Sequence, residues 1–312
     1  MSVGVLLIAH GTVESLDDLA PFLTNIRRGH PPSEELLHEV RRRYEAIGGK
    51  SPLIDYSRSL AKKVEARLGL PTRLAMRLWH PYPDAALREF AGQGITKVIV
   101  VPLAQHSVKI YADSVRQAAA SVSEAIGVTL DIVAGENWGQ SPDLTLAYAT
   151  AIREALAHVS LRDRSDLTLF FTAHSLPKMI IDQGDPYEAE VRTSAEAVFG
   201  ELHMPHLSHR VVFQSQGMSQ GPGGRPMVWL GPDLRTALSE LPKGSHVVVA
   251  PIGFLADHVE ILYDLDIEAQ AWAREFGITL SRSASLNDGD LLVTAIQGVV
   301  ESLNGSSGQA RS

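Results

Sequence analysis

Short apolar runs alternate with amphipathic segments along most of this 312-residue chain, and this alternation limits the folds that it can adopt. The runs are rich in Val, Ile and Leu, which is typical of parallel strands buried on both faces. They lie at Val3 to Ala9, Thr72 to Leu78, Lys97 to Leu103, Thr129 to Ala134, Leu167 to Ala173, Arg210 to Gln214 and His246 to Ile252. Helical patterns separate them, so the sequence predicts an α/β protein built from repeated β-α units.

The predicted elements form two sets, one on each side of the polar connection HVSLRDRSD. We therefore expect two doubly wound, Rossmann-like (flavodoxin-like) domains with parallel sheets and a cleft between them. The expected boundaries are residues 1–155 for the first domain and 156–304 for the second. The last helix of the second domain is expected to pack either on its own domain or back on the first. The Gly/Ser-rich residues 305–312 are expected to form a disordered tail.

Composition removes several classes of function. A net charge of −8 argues against nucleic acid as a partner, because binding to phosphates needs a basic surface. No apolar stretch approaches the roughly 18 residues that a transmembrane helix needs, and no basic region precedes the first apolar run, so a cytoplasmic location is predicted. The chain contains no cysteine, which leaves histidine and carboxylates as ligands for any metal and excludes an iron–sulfur cluster held by cysteine.

The stretch FLADHVEILYDLDIEAQ (254–270) concentrates carboxylates among large apolar residues. On an α-helix Glu260, Asp264, Glu268 and Asp257 share one face, where like charges four residues apart repel each other. A solvated helix face is the ordinary explanation of such a pattern. Because the remaining faces are apolar, the helix is expected to be largely buried, and buried carboxylates need a partner or a metal. The stretch therefore predicts a cation site, with Glu260 as its main candidate.

Polar residues also follow the predicted strands, where the functional groups of open α/β sheets gather. They are His10, His106, His174, Gln214 and Ser215. His174, in FFTAHSLP, is the sharpest candidate: an imidazole with several carboxylates suits Fe²⁺, and histidine accepts protons near neutral pH. The alternative is a histidine that only bonds a backbone carbonyl at a strand end.

Several stretches together resemble the ferrochelatases, the family of enzymes that insert Fe²⁺ into a porphyrin in haem synthesis. They are LLIAHGT, IRRGHPP, RRRYEAIGGKSPL, TAHSLP, GDPY, FQSQG, WLGPD and PIGFLADHVEILYDLD, in the family's order. The resemblance covers nearly the whole chain. It implies the chelatase fold and a lyase-class metal chelatase that releases two protons for each iron inserted.

The resemblance also implies roles for individual residues. His174 and Glu260 match the catalytic residues and metal ligands, and Asp264 and Glu268 match further metal-site acids on a partly π-helical segment. The residues implied to bind porphyrin are His10, Arg27, Arg43, Tyr44, Ser51, His106, Gln214, Ser215 and Trp229. His10 stands where many cluster-free bacterial members have tyrosine, so it is either a ligand of product iron or a loop histidine. The segment SQGPGGRP lengthens the loop before Trp229.

No prosthetic group is expected, because Fe²⁺ is a substrate, but a second divalent cation such as Mg²⁺ is a candidate near Arg43, Asp264 and Glu268. The IRRG pattern and the lack of cysteine are closer to monomeric bacterial enzymes that use coproporphyrin III than to membrane-associated enzymes that use protoporphyrin IX. The alternatives are a cobalt or nickel chelatase of sirohydrochlorin and a non-catalytic haem or metal carrier. Chelation also leads us to expect His174 and Glu260 to face each other across a gap that admits a tetrapyrrole.

Overall fold

The structure is a computed structural model that describes residues 2–160, 166–217 and 226–309. It divides into two compact units. Unit 1 comprises Met1–Asp143 and Asn287–Ser312, and unit 2 comprises Leu144–Leu286. Most of the connection HVSLRDRSD and of the insertion SQGPGGRP lies outside the described residues.

Each unit is built on a four-stranded parallel sheet. The strands are β1 Val3–Ala9, β2 Thr72–Met76, β3 Lys97–Pro102, β4 Asp131–Ala134, β5 Leu167–His174, β6 Ser208–Gln214, β7 His246–Ala250 and β8 Thr279–Arg282. Their spatial order is β2-β1-β3-β4 in unit 1 and β6-β5-β7-β8 in unit 2. In both sheets the second strand along the chain lies on one side of the first strand, and the third and fourth strands lie on the other side. The α/β class and the doubly wound topology are therefore confirmed, and the order reverses next to β1 and β5.

Helices connect these strands. They are α1 Leu19–Ile26, α2 Glu34–Ala46, α3 Leu53–Leu68, α4 Pro83–Gly92, α5 Val108–Ile126, α6 Pro142–Ala157, α7 Lys178–Asp182, α8 Tyr187–Leu202, α9 Leu234–Ser239, α10 Val259–Leu262, α11 Gln270–Phe276 and α12 Asp290–Gln309. A π-helix, Asp264–Ala269, lies between α10 and α11. Within the described ranges, no helix is both long and apolar enough to cross a lipid bilayer.

Local sequence explains where several helices begin and end. The hydroxyl of Ser33 accepts a hydrogen bond from the backbone N–H of Leu36 at 3.3 Å, which caps α2. Helix α4 begins with Pro83, a residue that the first turn tolerates because its missing N–H would have no partner there. Helix α3 ends at Gly69, whose φ of +64° is in the left-handed region.

Apolar side chains from strands and helices form a separate core in each unit. In unit 1, Leu6 and Val100 of the sheet pack with Phe90 of α4, all with no more than 1% exposure. In unit 2, Phe170 of β5 packs with Ile261 and Leu265, which are fully buried. The acidic segment is therefore held in the core of unit 2 by its apolar residues, as its composition predicts.

The end of the chain differs from the expectation of a tail without regular structure. Helix α12 continues to Gln309 and packs against α3 and β3 of unit 1. Residues 305–309 are therefore helical, since the Gly/Ser-rich composition does not stop a helix that is already anchored further back. Residues 310–312 lie outside the described residues.

Candidate metal centre

His174 is the last residue of β5, the strand beside which the strand order of unit 2 reverses. Its Cα is paired with that of Gln214, the last residue of β6. His10 directly follows β1, which holds the equivalent position in the sheet of unit 1. Both histidines thus lie at the carboxyl end of a sheet at the point where doubly wound proteins bind ligands.

The acidic segment faces His174 from a short α-helix that continues as a π-helix. The backbone N–H of Glu268 donates to the carbonyl oxygen of Tyr263 at 2.9 Å, a bond to the fifth residue back that is typical of a π turn. The wider turn brings residues four apart closer to a common line than an α-helix does, so Asp264 and Glu268 approach the same register. The π-helix implied by the resemblance is confirmed.

His174 and Glu260 are in direct contact. The imidazole Nε2 lies 3.6 Å from the carboxylate Oε1, and the two side chains are 34% and 36% exposed. On the other side of the ring, Nδ1 lies 2.5 Å from the carbonyl oxygen of Ser175, so Nδ1 carries a proton and donates it. Nε2 is therefore the ring atom that offers a lone pair or a second proton towards Glu260.

The charge state of His174 results from opposing contributions. Burial is the largest and disfavours the imidazolium form, whereas the negative charge of the Glu260 carboxylate favours it. The Ser175 carbonyl and the Asp264 carboxylate add to this attraction, and together these groups raise the pKa of His174 above its usual value. The carboxylates of Glu260 and Asp264 therefore favour positive charge on the imidazole of His174.

Two residues at the end of β6 contact the acidic segment. Gln214 is only 4% exposed, and its Nε2 donates to the backbone carbonyl of Glu260 at 2.9 Å. The hydroxyl of Ser215 donates to the carboxylate of Asp264, which is 4% exposed. Ser215 has a φ of +58°, a conformation uncommon for residues other than glycine and often found at functional sites. Gln214 and Ser215 thus contact the segment that carries Glu260 and Asp264, and their binding to porphyrin stays a prediction.

The four predicted metal ligands do not converge on one point. Among residues 2–160, 166–217 and 226–309, no group of three or more His, Asp or Glu side chains is placed to hold a metal ion. The close pair is His174 with Glu260, while Asp264 is bonded to Ser215. The expected gap between His174 and Glu260 is wrong, because 3.6 Å leaves no room for a macrocycle between them. The position of a residue at a strand end or on a helix face predicts which way its side chain points, but not its distance from a side chain elsewhere in the sequence.

Arg282, at the end of β8, fixes both ends of the acidic segment and was not predicted from the sequence. Its guanidinium contacts Asp257 at 3.2 Å and Asp266 at 2.8 Å, and its side chain is 14% exposed. The hydroxyl of Ser285 also donates to Asp257 at 2.7 Å. Since Asp257 and Asp266 bracket Glu260 and Asp264 along the chain, this partly buried network restrains the segment that carries them.

In unit 1, the ring of His10 is exposed and hydrogen-bonded to Tyr111. The distance from His10 Nδ1 to the Tyr111 hydroxyl is 3.2 Å, and the guanidinium of Arg77 lies 5.7 Å from the Tyr111 ring centre. The hydroxyl of Tyr44 is 2.9 Å from that of Thr12. The imidazole of His10 is therefore oriented and accessible within its own unit.

The other residues expected to bind porphyrin differ in accessibility. Tyr44 and Ser51 are buried, at 2% and 0% exposure, whereas Arg27 is partly exposed. Arg43 pairs with Glu39 at 2.6 Å on the surface of α2.

His106 is 6% exposed, and a Cβ added at Gly139 would lie 2.4 Å from its ring, so the ring fills the space that Gly139 leaves. Burial lowers the pKa of His106 to about 4. This residue is therefore a neutral interior histidine of unit 1. Trp229 pairs with Pro177 in a short bridge and packs its ring on Gly217 in unit 2.

Comparison with known proteins identifies the family. A family model described as Ferrochelatase matches residues 2–303. The chain belongs to the ferrochelatase family. It is 34% identical to a ferrochelatase of Herpetosiphon aurantiacus over 306 residues, covering 94% of this chain and 98% of that protein. It is also 34% identical to a coproporphyrin III ferrochelatase of Anoxybacillus flavithermus, covering 96% and 95%.

Ferrochelatases are lyase-class metal chelatases of haem synthesis, so ferrous iron and a porphyrin are the substrates of this chain. Among solved structures, SirB from Bacillus subtilis with Fe³⁺ aligns with a TM-score of 0.61 at 14% identity, covering 99% of this chain and 98% of that one. That likeness confirms the chelatase fold.

Proposed function

We propose that the protein inserts Fe²⁺ into coproporphyrin III and that His174 and Glu260 form the site where iron meets the ring. The observation that carries this proposal is the contact between the two side chains, with His174 Nδ1 committed to the Ser175 carbonyl. A neutral imidazole in that orientation directs its Nε2 lone pair towards the carboxylate. Both side chains are about one-third exposed, so a substrate can reach them.

The separation of the pair suits a first-row divalent cation. Two ligand atoms 3.6 Å apart can each lie about 2.1 Å from one ion at an angle of about 118°, which is close to tetrahedral or trigonal geometry. A pair of ligands also holds iron less firmly than a complete four-ligand site. This suits a metal that must be transferred to the four nitrogens of a porphyrin.

The same pair accounts for the release of two protons. The 3.6 Å between His174 Nε2 and Glu260 Oε1 leaves no room for a macrocycle between the two side chains, so both must contact the same face of the porphyrin. In this proposal iron first passes from Nε2 of His174 to the ring, and the freed Nε2 then accepts one pyrrole proton. Glu260 relays that proton away, so that Nε2 is free again to accept the second. Asp264 and Glu268, further along the π-helix, continue the path for protons or iron.

Binding of the porphyrin carboxylates supplies the energy to bend the ring. Guanidinium groups bind carboxylates with two parallel hydrogen bonds, and Arg27 and Arg43 are the candidates for this contact. Interactions far from the reacting nitrogens can offset the strain of a distorted macrocycle. Coproporphyrin has four carboxylates against two in protoporphyrin, so it gains more from such contacts. A second divalent cation, Mg²⁺ in the simplest case, is proposed near the carboxylates of Asp264 and Glu268.

Absorbance measurements of metal insertion test this proposal. Purified protein is mixed with Fe²⁺, or with Zn²⁺ as an air-stable substitute, and with coproporphyrin III or protoporphyrin IX. We expect multiple turnovers with a kcat/KM for coproporphyrin III at least about tenfold higher, equivalent to about 1.4 kcal/mol of binding to the additional carboxylates. A single stoichiometric event would identify a carrier, and turnover limited to protoporphyrin IX would overturn the substrate assignment.

The assembly and location are also proposals. We propose a monomer acting in the cytoplasm, as the sequence pattern of the cluster-free bacterial enzymes implies. Light scattering after size-exclusion chromatography would refute the first proposal by giving a mass of twice 33.8 kDa. Fractionation of cells that express the protein would refute the second by recovering it with membranes.

A further inference from the structure

Gln214 is bonded through its backbone to the chain that carries His174. The two Cα atoms are register partners in β5 and β6, and the N–H of Ser175 donates to the Gln214 carbonyl oxygen at 2.7 Å. The carbonyl of Ser175 in turn accepts the Nδ1 proton of His174 at 2.5 Å. The imidazole of His174 is therefore linked to the backbone of Gln214 through one intervening residue.

The side chain of Gln214 makes the second link, to Glu260. Its Nε2 donates to the Glu260 backbone carbonyl at 2.9 Å, across 46 residues of sequence. Helix α10, which carries Glu260, is a single turn of four residues, and such a turn is not stable by itself. The position of α10 therefore depends on contacts with other parts of the chain. One of these is the hydrogen bond from the Gln214 amide to the backbone carbonyl of Glu260.

The side-chain carbonyl oxygen of Gln214 indicates that this residue is not optimised for stability. The Oε1 atom of Gln214 is buried and has no hydrogen-bond partner among the residues that the structure describes. A buried acceptor without a partner is costly and is often explained by function. Methionine or leucine would fill the same space without this cost, but neither could hold the carbonyl of Glu260.

We propose that Gln214 is a positioning residue that sets the separation of His174 and Glu260. The inference rests on the proposed function, since it takes this pair as the iron site. Gln214 acts through Glu260 and does not itself bind the metal. Removing its amide allows the turn that carries Glu260 to shift relative to β5, so capture of the metal weakens while contacts to the porphyrin carboxylates remain.

The test compares Gln214→Leu with Gln270→Leu. Gln270 is a matched control, because its Nε2 also donates to a backbone carbonyl, that of Leu280, at 3.0 Å. It lies in the same helical segment but beyond the π-helix. We measure KM for Zn²⁺ and for porphyrin in steady-state insertion, and the Kd of Zn²⁺ for the porphyrin-free protein by calorimetry, using His174→Ala to define the binding that belongs to the pair.

For Gln214→Leu we expect KM and Kd for Zn²⁺ to rise about threefold to tenfold, the effect of losing one hydrogen bond, with KM for porphyrin within about twofold of wild type. Gln270→Leu should leave all three constants within about twofold. Unchanged metal constants in Gln214→Leu, or an equal rise in both KM values, would overturn the inference.

Thermal melts check that the variants fold, and Gln214→Met, which keeps the length of the side chain, replaces the leucine variant if that one does not. If wild-type protein turned over no porphyrin, the proposed function would fail. The Zn²⁺ affinities would still decide whether Gln214 positions the pair.

Discussion

Gly253 provides a test of how packing fixes the position of His174. A Cβ atom added at this residue would lie 2.6 Å from both Cα and Cβ of Ala173, and 3.3 Å from the carbonyl oxygen of Thr172. Carbon atoms in contact are normally about 3.5–4.0 Å apart, so Gly253→Ala is about 1 Å too close to the backbone of β5. Ala173 directly precedes His174, and relief of the clash must displace this strand.

Overpacking of this kind costs about 1–3 kcal/mol. At roughly 3 °C for each kcal/mol, a cost of about 2 kcal/mol lowers the melting temperature by about 6 °C. A displacement of about 1 Å at a reacting group can reduce turnover by about 100-fold. We therefore expect Gly253→Ala to lose about tenfold to 100-fold in kcat for zinc insertion as well as stability.

Gly200→Ala is the control for this experiment. Gly200 lies in α8, and a Cβ added there meets no atom within 4 Å. Alanine in a helix is favoured over glycine by about 0.5–1 kcal/mol, so this variant should be slightly more stable and fully active. Differential scanning fluorimetry and steady-state zinc insertion measure both properties. A Gly253→Ala protein as stable and active as Gly200→Ala would refute the close packing of Gly253 on β5.

Three further predictions concern charge. Burial lowers the pKa of His174, and the Glu260 carboxylate is the main group that raises it. Glu260→Gln should therefore move the acid limb of the zinc-insertion pH profile to lower pH. An unmoved limb would show that the two side chains are not coupled. His106 titrates at about 4 when folded but near 6.5 when unfolded, so the free energy of unfolding should fall by about 3 kcal/mol as pH drops from 6.5 to below 4. Urea titrations should show a smaller fall in His106→Leu, and an equal fall would contradict this. Arg282→Met removes the charged hydrogen bonds to Asp257 and Asp266, so it should destabilise the protein by about 1.5–3 kcal/mol in the same titration, and an unchanged stability would refute this.

The sequence predicts the interior of each sheet well, because buried strands leave a strong signal. Val3–Ala9 is found with the expected bounds. The strand Thr279–Arg282 was not predicted, because this edge strand is only four residues long and contains polar residues.

The candidate site is predicted in part for the same physical reason. Strand ends and helix periodicity identify His174 and Glu260 as neighbours, since both depend on local sequence. The bond from Gln214 to the backbone of Glu260 spans 46 residues and that from Arg282 to Asp257 spans 25, and no local pattern encodes either contact. The separation of the pair likewise depends on tertiary packing, which is why the expected gap was wrong.

The most direct test of the central claim is the rate of metal insertion by His174→Ala. His209→Ala is the matched control, because His209 also contacts a carboxylate, that of Glu196 at 3.2 Å, in unit 2. We expect His174→Ala still to bind coproporphyrin III, measured by fluorescence quenching, but to lose at least about 100-fold in turnover, while His209→Ala keeps its rate. Equal turnover in the two variants would contradict the assignment of iron insertion to His174.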